Sequence, residues 1–552
     1  MPTSDVVNLK KSLTGIRGFD EITRGGLPSG HTTVILGGAG SGKTVFALQL
    51  LINGIGFGER GIFVAFEENT RDVIANAASF GWDMSNVDTL LFLDAGMSPD
   101  VVQTGRFDVG ALLSAIRAKF AENHATRIVF DSIDVLLELL DDPFTERQEL
   151  FRIQDWLHAN DVTGVLTARS RDGDGSSPAK YDFLEFMADC VVRLGQYVVT
   201  GMAHRELRVA KYRGAAFDEG VFPMVIGAGG IEVVGPISRQ LAYPAFTERV
   251  SSGIERLDTM LAGGYFRGST VLITGAPGTA KSTLAAAFSA ATARRGECCL
   301  YVSFDESSGE IVRNMRSIGI DLSGAVAAGT LVFHSIQSSS LNTERHFLLI
   351  QGLIDQYHPS SVVIDPLSAL SRPTEPDFVM DVPQRLVNFA KSNGITMIGT
   401  SLVANSDSPE STDMNVSTIA DTWMHLSFRV QLGERNRVLT IVKSRGTGHS
   451  RQAREMVLSD QGVTLADVYV AGGEVLMGTL RWEKEEALRR AAMQVRSNLL
   501  KRESELRQEL VKRQSELDAL TAELQQQETH SLSLMDDLGR LRGADTDDGA
   551  AT

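Results

Sequence analysis

The strongest constraint on this chain is that it repeats itself. Residues 14–44, TGIRGFDEITRGGLPSGHTTVILGGAGSGKT, return as residues 252–282, SGIERLDTMLAGGYFRGSTVLITGAPGTAKS. Gly15 and Gly253, Asp20 and Asp258, and Lys43 and Lys281 share one offset of 238. Phe66-Glu67-Glu68 returns as Phe304-Asp305-Glu306, again at 238. Asp131, behind Ile128-Val129-Phe130, returns as Asp365, behind Val362-Val363-Ile364, at 234. Lys211-Tyr212-Arg213-Gly214 returns as Lys443-Ser444-Arg445-Gly446 at 232. Motifs kept in one order at a nearly constant offset mark a tandem duplication. The 552 residues then divide into two units of about 235 and a remainder of about 80.

Within each unit, short β-branched or apolar runs (Thr32–Leu36, Ile62–Phe66, Arg127–Phe130) alternate with longer helical patterns such as Val45–Gly54. That alternation predicts an α/β fold with a largely parallel sheet covered by helices. The predicted boundaries are a first domain at 1–236, a second at 237–470, a loop-like tail at 471–482, a helix at 483–541 and a disordered end at 542–552. The stretch Val233–Pro244, with two prolines, is the expected linker.

Composition excludes several classes. A chain 43% hydrophobic and 22% charged is of the globular kind. It has no apolar run long enough for a membrane helix, and Met1 to Lys11 holds no signal core. Three cysteines, two of them adjacent (Cys298, Cys299), form neither a disulfide framework nor a zinc site. A reduced, cytoplasmic protein without a membrane partner is expected. Lys+Arg 53 against Asp+Glu 69 gives a net charge of −16, which a nucleic-acid backbone repels, so no nucleic-acid partner is expected.

Gly37-Gly38-Ala39-Gly40-Ser41-Gly42-Lys43-Thr44 is a complete phosphate-binding loop between a predicted strand and a predicted helix. Its backbone N–H groups would surround phosphates, Lys43 would neutralise them, and the Thr44 hydroxyl would hold Mg²⁺. The second loop, Gly275 to Ser282, keeps Lys281 and Ser282 but has Ala280 where the last glycine is expected. A Cβ there is compatible with the loop only at negative φ. Gly278, Thr279, Val45 and Thr283 complete the two nucleotide cradles. Asp131 and Asp365, each closing an apolar strand, suit the carboxylate that holds Mg²⁺ in such sites. Glu67-Glu68 closes a strand expected to lie beside the phosphate-loop strand, where one carboxylate can take the proton of an attacking water or hydroxyl. The second unit has Asp305-Glu306, with the first carboxylate one methylene shorter.

These residues, from about Ser12 to about Leu480, resemble the KaiC family, double RecA-like P-loop ATPases and autokinases of the circadian clock. The resemblance implies a homohexamer of two stacked rings with ATP and Mg²⁺ between neighbouring subunits. It implies Glu67 and Glu68 as the hydrolytic pair of the first ring and Asp305, next to Glu306, as the base of the second. Lys211 and Arg213, with Lys443 and Arg445, would reach a neighbour's γ-phosphate, and Ser79, Tyr212, Arg437 and Ser444 would contact nucleotide. Ile318 stands where other members carry an aromatic near the adenine. In Asn415-Val416-Ser417-Thr418-Ile419-Ala420-Asp421 the resemblance makes Ser417 and Thr418 phosphorylation sites, with Thr412 as a third hydroxyl. The corresponding place in the first unit is read as Ala188-Asp189-Cys190.

Residues 483–541 lack proline and are rich in Glu, Arg, Gln, Leu and Ala. Leu488, Ala492, Val495 and Leu499 step by four, three and four, and Leu510, Leu517, Leu520 and Leu524 resume the rhythm after a slip. This predicts a coiled coil with a stutter, its seam interrupted by Arg502, Arg513 and Gln527. Tails of one ring pairing with those of another would give a dodecamer. A KaiB-like protein is a partner implied by the resemblance. The helix occupies the place where KaiA engages short-tailed members, which argues against KaiA. Two other readings compete. A DNA motor needs a basic loop at the ring axis, and neither Ser170–Ala179 nor Ser401–Asn415 is rich in Lys or Arg. A nucleotide-gated scaffold with a chemically silent second unit would draw on Ala280, Asp305 and Ile318.

Overall fold

A computed structural model describes residues 9–82, 89–95, 109–140, 142–170, 183–199, 201–235, 245–337, 342–370, 382–403, 416–431, 433–466, 469–471 and 474–544. The chain divides into two compact units, residues 1–427 with 437–465, and residues 428–436 with 466–552.

The larger unit holds both repeats, each built on a nine-stranded sheet. The first has β1 (Thr32–Gly37), β2 (Gly61–Ala65), β3 (Leu90–Asp94), β4 (Arg127–Asp131), β5 (Thr163–Arg169), β6 (Cys190–Val199), β7 (Met202–Tyr212), β8 (Phe222–Gly227) and β9 (Gly230–Val233). Their spatial order is β9-β8-β7-β6-β1-β5-β4-β2-β3. Strands β1 to β6 are parallel, and β7 to β9 extend one edge as antiparallel hairpins. The second lobe has β10 (Thr270–Gly275), β11 (Cys299–Ser303), β12 (Leu331–Ser335), β13 (Ser361–Asp365), β14 (Thr396–Leu402), β15 (Thr422–Gln431), β16 (Glu434–Ser444), β17 (Arg454–Ser459) and β18 (Gly462–Leu465). Its order, β12-β11-β13-β14-β10-β15-β16-β17-β18, is the first order strand for strand. The duplication is therefore one of topology as well as of motifs.

Central strands of a parallel sheet face helices on both sides, so they read as continuous apolar runs. All of Thr32–Gly37, Gly61–Ala65 and Ser361–Asp365 are buried. In the first lobe Phe46, Leu50 and Phe63 pack on one face, and Ile62, Phe130 and Leu157 on the other. The sheet order corrects one expectation. The strand bearing the acidic pair does not lie beside the phosphate-loop strand, because β5 and β4 stand between β1 and β2. The acidic pair thus reaches the phosphate loop across the carboxyl ends of two strands, where ligands of such sheets bind.

The two lobes share packing within the larger unit. Val234 at the end of the first lobe is buried among Leu272, Phe347 and Leu386 of the second. Arg17 pairs with Asp355 at 2.6 Å. Residues 236–244 of the expected linker lie outside the described residues.

In the smaller unit, Tyr469–Ala471 pairs with Glu474–Leu476 as a short hairpin. One helix then runs from Gly478 to Ala544. It starts inside the segment read as loop-like and takes in three residues of the end read as disordered. Thr479 donates from its backbone N–H to Glu434 at 3.0 Å, an anchor for the first turn that no helical period reveals.

Candidate functional site

The phosphate loops close β1 and β10 and open the helices Lys43–Gly56 and Lys281–Arg294. They are superimposable in their contacts. Lys43 Nζ donates to the carbonyls of Gly37 (2.8 Å) and Gly38 (2.9 Å), and Lys281 Nζ to those of Gly275 and Ala276 (both 2.9 Å). Buried Ser41 and Thr279 return their hydroxyls to Gly38 and Ala276. Burial pushes both lysines below the ordinary lysine range, although Asp131 and Asp365 oppose the shift. A phosphate would outcompete the loop carbonyls for each ammonium, because a charge-assisted hydrogen bond is about twice as strong as a neutral one. Val45 and Thr283 sit one residue further along each helix, Thr283 buried.

Ala280 corrects a second expectation. It caps its helix at φ 76° and ψ 36°, in the left-handed region that Gly42 occupies at φ 102°. The loop keeps its shape in spite of the side chain, at a cost of about 1–2 kcal/mol.

The two carboxylates expected to hold Mg²⁺ differ. Asp131 accepts from the Thr44 hydroxyl at 2.8 Å and from Thr167, and burial raises its pKa above the usual carboxylate range. Asp365 accepts from Thr400 and, at 2.6 Å, from the Tyr301 phenol. No side-chain hydrogen bond of Ser282 is present among the described residues. A hydroxyl next to a single carboxylate at a phosphate loop fits Mg²⁺, which keeps several waters and takes few protein ligands. Among the described residues no group of three or more His, Cys, Asp or Glu forms a metal cage.

The acidic pairs differ as well. Glu67 is tied to Arg169 and accepts from Ser132 at 3.4 Å, and Arg169 also stands 3.6 Å from Asp134. Arg169 pairs in register with Gly37, and the residue in that register against Gly275 is Leu402. Asp305 therefore has no cation in place of Arg169, and its pKa is raised by burial and then by the charge of Asp365. The outer carboxylates match: Glu68 accepts from Asn76 at 3.3 Å and Glu306 from Asn314 at 3.1 Å. Ser79 and Ser317 return their hydroxyls to Asn76 and Asn314. Phe80 and Trp82 stack at 4.8 Å where the second lobe has Ile318 and Ile320.

The late Lys-x-Arg residues lean on a short helix in each lobe. Lys211 donates to the carbonyls of Glu185 (2.8 Å) and Phe186 (3.0 Å), and Arg213 to Phe186 (2.8 Å). Arg445 donates to the Thr418 carbonyl at 2.6 Å and Lys443 to the same oxygen at 3.4 Å. The backbone N–H groups of Arg213 and Arg445 bond Asp189 and Asp421, which puts these aspartates in register. Ser417 and Thr418 of the helix Val416–Ile419 thus correspond to Glu185 and Phe186, not to Ala188-Asp189-Cys190. Tyr212 and Ser444 face inward: the Tyr212 phenol donates to Gly26 at 3.0 Å, and Ser444 bonds Thr422 at 3.2 Å. Their side chains belong to the core, which leaves only their backbone for a ligand.

Arg437 donates to the Gly278 carbonyl at 3.2 Å, and Arg205 to Gly40 at 3.2 Å. Arg205 was legible at the 232-residue offset from Arg437, as Asn76 was at 238 from Asn314. Arg169 and Tyr301 were not, since both break the repeat. Thr412 and nearly all of the two loops weighed as DNA contacts, Ser170–Ala179 and Ser401–Asn415, lie outside the described residues.

The family described as "ATPase: KaiC" matches residues 12–238 and again 250–468. The circadian clock protein KaiC2 of Synechocystis sp. (strain ATCC 27184 / PCC 6803 / Kazusa) is 38% identical over 548 residues, 96% of this chain and 94% of that protein. The alignment necessarily runs into the C-terminal helix. The circadian clock oscillator protein KaiC of Thermosynechococcus vestitus (strain NIES-2133 / IAM M-273 / BP-1) is 35% identical over 477 residues, 85% of this chain and 92% of that protein. With two matches that span both repeats, this chain belongs to the KaiC family of ATPases.

Proposed function

We propose that the first lobe hydrolyses ATP and that the second transfers the γ-phosphoryl group to Ser417 and Thr418 of its own kind, as a timing or signalling component. The observation that carries this is the position of Lys443 and Arg445, both donating to the carbonyl of Thr418. Cations suited to a γ-phosphate thus stand beside the acceptor pair. Service of these cations, and of Lys211 and Arg213, to a neighbouring copy in a homohexamer belongs to the same reading. In the transfer, the hydroxyl oxygen bonds to the γ-phosphorus, the β–γ bridging bond breaks, ADP leaves, and Asp305 takes the hydroxyl proton. Lys281 and the helix N-terminus stabilise the phosphates. In the first lobe Glu67, with Glu68 behind it, would take a proton from water. Mg²⁺, held through Thr44 with Asp131 and through Ser282 with Asp365, would neutralise charge on the phosphates.

The C-terminal helix supports pairing of two tails. Its seam residues Leu499, Leu510, Leu517, Leu520 and Leu524 are all exposed in the single chain. From Gly478 to Arg513 it has ten Lys or Arg against six Glu, and from Gln514 to Ala544 six Asp or Glu against two Arg. Antiparallel partners would match these halves, joining two rings into a dodecamer. A KaiB-like partner belongs to the same reading. Among the described residues no helix is long and apolar enough to cross a membrane.

Incubation with ATP and Mg²⁺ followed by phosphopeptide mapping tests the kinase. Phosphate is expected on Ser417 and Thr418 and is expected to vanish in Lys281→Ala. Bound nucleotide with both residues unmodified would leave the second lobe a scaffold.

A further inference from the structure

Tyr301 breaks the repeat at a buried position of the second site. It lies on β11, and the residue 238 before it, on β2, is Phe63. Both rings are fully buried, so the exchange adds one hydroxyl and little volume. A buried hydroxyl is costly unless it finds an acceptor. The Tyr301 phenol finds Asp365 Oδ2 at 2.6 Å and donates to it.

The first lobe shows what that donor displaces. Each carboxylate has one oxygen on the threonine of the neighbouring strand, Thr167 for Asp131 and Thr400 for Asp365. The other oxygen of Asp131 accepts from the phosphate-loop Thr44 at 2.8 Å. The other oxygen of Asp365 accepts from Tyr301 instead, and Ser282 makes no side-chain hydrogen bond among the described residues. Donation from a phenol withdraws negative charge from that oxygen and fixes its direction.

We propose that Tyr301 is a positioning residue that competes with the Ser282–Mg²⁺ side of the site for Asp365 and so raises the Mg²⁺ requirement of the second lobe above that of the first. The inference rests on nucleotide binding by the second lobe. Its consequence is a nucleotide site that exchanges more readily than its twin, since the metal is the main neutraliser of the bound phosphates.

The test uses the full-length chain carrying Lys43→Ala, so that a fluorescent ATP analogue reports the second lobe alone, titrated with Mg²⁺. Tyr301→Phe is expected to lower the Mg²⁺ concentration for half-saturation about tenfold or more, the effect of releasing one charge-assisted hydrogen bond. The same variant should lower the thermal midpoint without nucleotide, because a buried hydrogen bond is lost. A merely structural role would weaken both properties, whereas competition moves them in opposite directions. Phe63→Tyr on Lys281→Ala should raise the Mg²⁺ requirement of the first lobe. Binding retained with an unchanged Mg²⁺ midpoint in Tyr301→Phe overturns the inference alone. No binding by the parent Lys43→Ala chain overturns nucleotide binding by the second lobe, and the inference with it.

Discussion

The two lobes share every strand and the order in which the strands lie, yet their chemistry is set by residues that the repeat does not share. The first has Gly42, Phe63, Glu67, Arg169 and Glu185; the second has Ala280, Tyr301, Asp305, Leu402 and Ser417 at the matching places. In the first, the inner carboxylate is held by a guanidinium, and Glu185, paired with Arg193, stands where the second has Ser417, the proposed acceptor. In the second, the inner carboxylate has no ion pair among the described residues, and burial and then the charge of Asp365 raise its pKa. Duplicated scaffolds diverge most cheaply at the carboxyl ends of the strands, where exchanging one side chain alters the site without disturbing the core.

The comparison breaks if the lobes turn out to be interchangeable. The largest expected effect is that of Glu67→Gln with Glu68→Gln: ATP hydrolysis by the full chain should fall about 10²- to 10⁴-fold while nucleotide binding persists. Phosphate release measures it, and a rate within a factor of two of the parent would place the main hydrolase in the second lobe. Leu402→Arg, which gives the second lobe the first lobe's cation, should slow autophosphorylation about tenfold by pairing Asp305. The time course of labelled phosphate on Ser417 and Thr418 checks this.

The pH dependence sharpens the same contrast. A base acts only while deprotonated, and the pKa of Asp305 is raised, so autophosphorylation should be lost, as pH falls, at a higher pH than an ordinary aspartate allows. A rate profile over the acid range, with Asp305→Asn as the inactive reference, would show it. The smallest effect is that of Ala280→Gly. Relief of the left-handed alanine should stabilise the second lobe by about 1 kcal/mol, or about 2–4 °C in melting temperature for a domain of this size. Calorimetry showing no gain would mean that the loop has already relaxed around the Cβ.

Much of the architecture was legible because duplication samples one fold twice. A strand read in one half is checked by its twin, and the phosphate loops, Asp131 and Asp365 each close an apolar run. The place of the acidic strand was misread because strand order depends on crossovers, which no local pattern encodes. The conformation of Ala280 was misread for a related reason: local strain argues for negative φ, but a helix and a strand held by a common core impose the loop between them. Arg169 and Tyr301 escaped because a contact between strands distant in sequence has no signature along the chain. The matching of Ser417 with Glu185 was open at the 232 offset of Lys211 and Lys443, which also aligns Ala188-Asp189 with Ala420-Asp421; the backbone bonds of Arg213 and Arg445 to Asp189 and Asp421 bear it out.

The long C-terminal helix spans roughly 100 Å at the usual rise per residue. Its internal ion pairs, Arg481–Glu485, Arg490–Glu486, Arg502–Glu505, Arg507–Glu503 and Arg513–Glu516, all fall in its first part. Beyond Glu516 no further ion pair occurs among the described residues, although the leucines there stay exposed. Local pairs of this kind add only about 0.2–0.5 kcal/mol each, and helices without tertiary support are marginal. If the tails pair as proposed, the far end of the rod draws its order from a second copy. Under that pairing, dilution should unwind it before any other part of the chain responds, and the protein's own concentration would become a variable that its structure reads.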